Sequence, residues 1–401
     1  MSPNPRIIHL EGLDAATAEM KELGVDPRGI ERMAGKAMHF ALKLEGISLK
    51  AANILKQEML ALGGDAALPW GASDLSQDFC PVLLLGTWKQ LSNLTTRLLE
   101  QPFGLKEIAQ EIESALQNYQ NPPRFLRCRR YNISLDRTLI MGILNVTPDS
   151  FYDGGRYIDP GLACEYSEAM VDDGADIIDI GGESTRPGSS PVSIEEEWSR
   201  IEVPLRFLAK RLNVPISVDT YKAEVARRAL AEGADIINDI SGLQLEPSLA
   251  NEVYRAGAGL VVMHMQGTPQ TMQVNPQYQC LLGEIIGYLR EAVSQAEGAG
   301  VDPASIIVDP GLGFGKTYEH NLILLKRLSE FRVLGKPILV GPSRKSFIGR
   351  ALDLPMEERL EGTAAAVVAS ILKGASIVRV HDVKAMRRVA RMVDAIRQVE
   401  G

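Results

Sequence analysis

Four cysteines in 401 residues, none of them in a C-x-x-C spacing, are too few and too scattered for a zinc cage or a disulfide framework. Cys80, Cys128, Cys164 and Cys280 are therefore expected to be reduced core thiols. No apolar run reaches the roughly 20 residues needed to span a bilayer. The opening MSPNPRIIHLEG also lacks the charged-then-apolar order of a signal peptide, so a cytoplasmic protein without membrane contact is expected. Positive charge is in deficit: 43 Lys and Arg against 51 Asp and Glu leave a formal net charge of -8. The chain offers no general field for nucleic-acid phosphates, and an anion must find a local site. With 45% hydrophobic and 23% charged residues, disorder is excluded and a full core is implied.

What the sequence does contain is a series of short, almost wholly apolar runs. TLIMGILNV (138–146), ADIIDIGG (175–182), PISVDT (215–220) and ADIINDIS (234–241) are followed by GLVVMHMQG (259–267), SIIVDPGLG (305–313), PILVGPSRK (337–345) and SIVRVHDV (376–383). Runs of this kind suit strands buried on both faces. Amphipathic segments such as IEEEWSRIEVPLRFLAKRL (194–212) and MEERLEGTAAAVVASILKG (356–374) alternate with them. Eight strand-then-helix units require parallel strands with right-handed crossovers, and eight is the number that closes a barrel. The rival, an open doubly wound sheet, usually has fewer strands and a Gly-rich first turn that is missing here.

Such a barrel takes roughly 250 residues, which leaves room for a second, smaller domain. The fold class expected is α/β: a (β/α)₈ TIM barrel over 130–401 preceded by a small α/β domain over 1–125. A linker is placed near NPPRFLRCRR (121–130), where a Pro pair and four arginines intervene. Within the first part IERMAGKAMHFALKL, SLKAANILKQEMLALGG, WKQLSNLTTRLLEQ and FGLKEIAQEIESALQNYQ read as helical, and PVLLLG as a strand. No cluster of catalytic residue types occurs there, which points to a structural or assembly role.

In a (β/α)₈ barrel the chemistry lies at the carboxyl ends of the strands. Those ends supply Asn145; Glu183, Ser184, Thr185 and Arg186; Asp219; Asn238; His264; Asp309; Lys345; Arg379 and His381. Asp219, Asn238 and Asp309 close apolar strands, and burying a charge without partners costs on the order of several kcal/mol. A flat heterocycle with ring N–H and exocyclic amino groups would supply the missing donors; for Asp309, a neighbouring Lys or Arg is an equal alternative. Arg186, Lys345, Arg379 and His381 form a second, cationic group suited to an anion such as diphosphate. PSRKSFIGRAL (342–352) runs straight into a helix, with Ser346 and the N–H of Phe347 at its start. Asn145, with diphosphate oxygens and water, would suit Mg²⁺, which takes few protein ligands.

Two tempting motifs are set aside. GLGFGKT (311–317) is not a phosphate-binding P-loop, because Pro310 stands where the first Gly is needed, and Lys316 spoils the dinucleotide pattern. Its glycines are expected to let the backbone pass close to a bound ring, with Phe314 as a wall. His264 in MHMQG has no second His or Cys at metal spacing and is expected to be a hydrogen-bonded pocket or core residue.

The stretches MGILNVTPDSFYDGG (141–155), DIGGESTRPG (179–188), SVDT (217–220), INDISG (237–242), VVMHMQGTPQTMQ (261–273), DPGLGFGKT (309–317), GPSRKSFIG (341–349) and RVHDV (379–383), in this order, closely resemble dihydropteroate synthase. The resemblance spans the whole barrel. It implies a transferase of folate biosynthesis that joins 4-aminobenzoate to the methylene carbon of 7,8-dihydropterin-6-ylmethyl diphosphate, releasing diphosphate and forming 7,8-dihydropteroate. Position by position it implies pterin on Asp219, Asn238, Asp309 and Lys345 beside Phe314, and diphosphate on Arg186, Arg379 and His381. Mg²⁺ would fall to Asn145, and 4-aminobenzoate would lie near Phe151, Thr185, Pro187 and Phe314 with its carboxylate at Ser346. Arg186, Lys345, Arg379 and His381 would carry the catalytic charge. A sulfonamide, as an aminobenzoate mimic, is an expected inhibitor. A homodimer is expected, with the small-residue helix GTAAAVVASILKG (362–374) able to pack closely against a partner.

Two other readings compete. A pterin-binding methyltransferase acting with a corrinoid protein shares the barrel and the carboxylates but gives no reason for a diphosphate site. A catalytically idle barrel holding pterin as a sensor would not need the complete residue set. Loops 147–157 and 183–192, with Gly, Ser and Pro beside functional residues, are expected to move when empty and to close over both substrates. In the extension before the barrel there is no resemblance to the folate-pathway enzymes sometimes fused to this family.

Overall fold

The computed structural model describes residues 4–10, 12–72, 78–146, 160–185 and 188–399. The chain forms two compact units, Met1–Asn121 and Pro122–Gly401.

The first unit carries a three-stranded antiparallel sheet, β1 (His39–Ser48), β2 (Asp65–Ala67) and β3 (Phe79–Thr87), in the order β1-β3-β2. Its longer helices are Pro27–Ala37, Leu49–Ala61, Trp88–Leu98 and Leu105–Gln120. Local signals start them: Asp26 caps a helix with Pro27 at its first position, and Thr87 and Gln90 form a reciprocal capping box. Leu55, Met59, Leu84, Leu91, Leu94 and Leu105 are fully buried in its core. One expectation fails here. IERMAGKAMHFALKL does not stay helical but turns at Met38 into β1. From His39 the sequence alternates, with Phe40, Leu42 and Leu44 packing on the core while Lys43 and Glu45 stay exposed. That period of two wins because β3 supplies a partner far along the chain.

In the second unit a hairpin, β4 (Phe125–Cys128) and β5 (Tyr131–Ser134), precedes the barrel. The stretch read as a linker is thus partly a strand. Its arginines have structural partners: Arg129 Nη1 donates to the carbonyls of Leu230 and Ala234, and Arg127 pairs with Asp302 at 2.8 Å. Leu126 and Cys128 pack against Leu139, Ile177, Ile236, Val261, Ile307, Leu339 and Ile377, the lowest layer of the barrel interior.

Eight parallel strands follow: β6 (Leu139–Asn145), β7 (Ile177–Gly181), β8 (Ile216–Asp219), β9 (Ile236–Asp239), β10 (Gly259–Met263), β11 (Ile306–Asp309), β12 (Leu339–Val340) and β13 (Ile377–Val380). Their order is β11-β10-β9-β8-β7-β6-β13-β12, and a parallel bridge between Val308 and Ile338 closes the ring. All eight lie inside the apolar runs read from the sequence, and helices such as Ile194–Arg211 and Leu360–Leu372 cover the outside. Residues of one parity, such as Ile178, Ile180, Val218 and Ile237, face those helices. Residues of the other parity fill the interior, so a side chain two places beyond an interior Ile or Val points into the upper barrel.

Candidate active site

Two residues beyond Ile177, Ile236, Ile307 and Ile377 stand Asp179, Asn238, Asp309 and Arg379, and Asp219 closes β8 beside Asn238 in register. The alternation that fills the floor with hydrocarbon thus fills the layer above with polar groups. Arg379 is their hub. Its Nε donates to Asp179 Oδ2 at 2.6 Å and its Nη2 to Asp219 Oδ2 at 2.9 Å, while Asn238 Nδ2 also donates to Asp179 Oδ2 at 3.1 Å. Asp179 is fully buried and Asp219 is 9% exposed. Among the described residues neither Asp179 Oδ1 nor Asp219 Oδ1 has a hydrogen-bond partner. Two buried acceptors are therefore left unspent in one small volume.

Electrostatics follow from burial. Loss of water pushes the Asp219 carboxyl up to about 7, with Arg379 opposing the shift and Asp179 adding to it. Asp309 is also raised by burial, against the Gly311 N–H and the Lys345 charge. Lys345 falls to about 8 because burial disfavours its ammonium more than Asp309 restores it. Arg379 is raised despite burial, since Asp179 and Asp219 flank it.

On the far side of the mouth, Gly311 N donates to Asp309 Oδ1 at 2.7 Å. Gly311 has φ 70°, and a Cβ there would lie 2.0 Å from the His264 carbonyl oxygen. At Gly315, φ 63°, a Cβ would lie 2.7 Å from the Gln266 carbonyl oxygen. Gly311 and Gly315 bring the 309–317 loop onto the end of β10. Only Gly313 faces the mouth, with its Cβ position 3.1 Å from Lys345 Cδ. Lys345 donates to the Leu312 carbonyl and lies 4.3 Å from the centroid of the Phe314 ring.

Lys316, which breaks the dinucleotide pattern, is 2% exposed and donates to the carbonyls of Phe314 and His264 and to His264 Nδ1 at 2.8 Å. Burial and the Lys316 charge push the His264 imidazole down to about 2, so it stays neutral and accepts that proton. Among the described residues no three His, Cys, Asp or Glu side chains gather as a metal site. His381 Nδ1 lies 3.0 Å from Ser343 Oγ, and Arg344 forks onto Asp382 at 2.9 and 2.6 Å. These three bonds tie the loop carrying Lys345 and Ser346 to the end of β13. Asn145 ends β6 half-buried, its Oδ1 near the β7 terminus at Gly181. Thr185 is half-buried in the connection after β7. Phe151, Arg186 and Pro187 lie outside the described residues, as does loop 147–157.

Residues 141–381 match the family of pterin binding enzymes. Dihydropteroate synthase of Bacillus subtilis (strain 168) is 51% identical over 261 residues, covering 65% of this chain and 89% of that one. The chain belongs to the dihydropteroate synthase family. A crystal structure of Yersinia pestis dihydropteroate synthase with a sulfonamide drug complex superposes with a TM-score of 0.66 at 42% identity, over 69% of this chain and all of the other. A probable bifunctional folylpolyglutamate synthase/dihydropteroate synthase of Halobacterium salinarum (strain ATCC 700922 / JCM 11081 / NRC-1) is 40% identical over 388 residues. That match takes in 97% of this chain, and the chain spans 46% of that relative. Membership makes the chain a transferase of folate biosynthesis with a pterin-binding barrel.

Reading strand ends alone missed Asp179, because it lies inside a strand. Counting alternate residues from Ile177 finds it. Cys280 also departs from expectation, being half-exposed where Cys80, Cys128 and Cys164 are buried.

Proposed function

We propose that the mouth of the barrel binds 7,8-dihydropterin-6-ylmethyl diphosphate and condenses it with 4-aminobenzoate, with the ring N–H and amino groups donating to Asp179 and Asp219. The carrying observation is the pair of buried oxygens on those two carboxylates that have no hydrogen-bond partner among the described residues. A ring with two adjacent donors relieves both, and Asn238, Asp309 and Lys345 border the same space. Phe314 closes one side.

Arg379 and His381 stand where the departing diphosphate would lie, with Arg186 assigned to the same group. Two of Arg379's five donors are already committed to Asp179 and Asp219, so diphosphate uses the remaining ones. As the C–O bond stretches, negative charge grows on the diphosphate and these cations stabilise it without reorganisation. No covalent enzyme intermediate is needed. The amine attacks neutral, so Thr185, Phe151, Pro187 and Ser346 act by placing it, the carboxylate lying at Ser346. Asn145 supplies one hard amide oxygen and, among the described residues, no cluster of carboxylates forms a metal cage, which fits Mg²⁺ holding mainly water and phosphate oxygens. When bound, Mg²⁺ would neutralise leaving-group charge. The chain acts in the cytoplasm as a homodimer with no nucleic-acid or membrane partner.

Diphosphate release measured with and without 4-aminobenzoate tests this. Release that depends on the amine is expected; equal release without it would favour a hydrolase, and none at all an idle barrel. Sulfonamides should compete with 4-aminobenzoate, and an unchanged rate at saturating drug counts against the aminobenzoate subsite. Arg379 and the order of the RVHD stretch disfavour the corrinoid methyltransferase reading, which has no anion to hold.

A further inference from the structure

Lys222 stands three residues beyond Asp219, yet its side chain does not reach solvent; it is 6% exposed. Its Nζ donates to Glu183 Oε2 at 2.5 Å, to Glu197 Oε2 at 2.6 Å and to the Val192 carbonyl at 2.7 Å. An ammonium has three protons, and all three are used. The acceptors sit at the two ends of one connection. Glu183 follows β7 by two residues, Val192 precedes the helix Ile194–Arg211 by two, and Glu197 lies in its first turn.

Further ties hold the same start. Arg200 Nη1 donates to the Gly182 carbonyl at 2.7 Å, and Tyr221 Oη donates to Glu183 Oε1 at 3.2 Å. Gly182 leaves no room for a side chain, since a Cβ would lie 2.7 Å from Ile201 Cγ2. Thr185 lies inside the connection so anchored.

Stability alone is a poor reason for this cluster. Two carboxylates share one cation, and Glu197 is 1% exposed. Burial raises the Glu197 carboxyl despite the Lys222 bond. Apolar side chains of similar size would often serve a core as well or better. What they could not do is fix two ends of a polar connection to a third element by directional bonds.

We propose that Lys222 is a positioning residue for the second substrate: it locks Glu183 and Val192, at the two ends of the connection after β7, and with them Thr185, to the β8 wall that holds the pterin. The inference rests on the aminobenzoate reading of Thr185.

The test compares Lys222→Met, Lys222→Arg and the double variant Lys222→Met/Glu197→Leu. Readouts are KM for each substrate, calorimetric affinity for 6-hydroxymethyl-7,8-dihydropterin, and amide hydrogen exchange. Lys222→Met should raise KM for 4-aminobenzoate by about 10-fold or more while changing dihydropterin affinity by less than about 3-fold. It should also speed exchange of the amides in 183–193 with the other barrel strands unchanged, and Lys222→Arg should recover part of the KM. The double variant removes the more deeply buried of the two carboxylates that Lys222→Met leaves without a cation, so it should regain part of the melting temperature but not the aminobenzoate KM. Equal loss for both substrates, unchanged exchange in Lys222→Met, or full recovery in the double variant would each overturn the proposal. Thr185→Val, measured alongside, separates the two claims: an unchanged aminobenzoate KM there sinks the subsite reading, whatever Lys222 does.

Discussion

Asp219 spends one oxygen on Arg379 and leaves the other buried and bare. Its carboxyl is pushed up from 3.8 to about 7, so the empty folded chain holds a proton that the unfolded chain releases near pH 4. Stability attributable to this residue is therefore greatest below about pH 4 and declines as pH rises toward 7, the reverse of a salt-bridged carboxylate. Ligand binding has the opposite sign, because ring donors need the ionised form. Affinity for 6-hydroxymethyl-7,8-dihydropterin, measured by calorimetry, should weaken as pH falls through about 7, by up to about tenfold per unit. Asp219→Asn should abolish that slope, lose about 1.5–3 kcal/mol of binding and keep or raise the melting temperature near pH 8. A retained slope would show that Asp219 is not the titrating group.

At the scale of elements, the site is made by strand ends and by the loops that lean on them. The 309–317 loop lies on β10 through Gly311 and Gly315 and is tied there by Lys316, which fixes Phe314 against Lys345. Gly311→Ala would drive a methyl into the His264 carbonyl while holding φ 70°, so the loop must lift. A loss of about 2 kcal/mol or more is expected in urea unfolding, together with weaker pterin binding. A fully active, equally stable variant would show that the loop has slack the geometry denies. Much of this was legible in advance: eight apolar runs became eight strands, and Asn238, Asp309 and Arg379 stand where their strands end. HFALKL was not, because a period of two outweighs a neighbouring helix only once β3 is beside it.

For the molecule as a whole, the two units differ in what they bury. The second holds Asp179, Asp219, Lys222, Asp239, Asp309 and Lys316 inside, whereas Thr95 is the one polar side chain buried in the first among the described residues. The Bacillus subtilis relative matches over 261 residues, 65% of this chain, which is shorter than the second unit, Pro122–Gly401. A chain starting at Pro122 should accordingly keep diphosphate release within about tenfold of the full protein, as expected of a domain with its own core. Loss of activity in a folded, soluble fragment would assign the first unit a direct part in turnover. The match to the Halobacterium salinarum relative, which takes in 97% of this chain and therefore the first unit as well, makes that fragment worth testing beside the intact chain.

The order and spacing of residues by themselves determined the barrel, since alternating apolar runs and amphipathic helices have few other ways to bury their surfaces. They also determined which strand ends carry charge. Only tertiary structure decided which oxygens stay unpartnered, that Arg379 spans two carboxylates, and that Lys222 is consumed by three acceptors. Those facts depend on groups brought together across the barrel from distant positions, and burial, which sets their charge, exists only once the ring has closed.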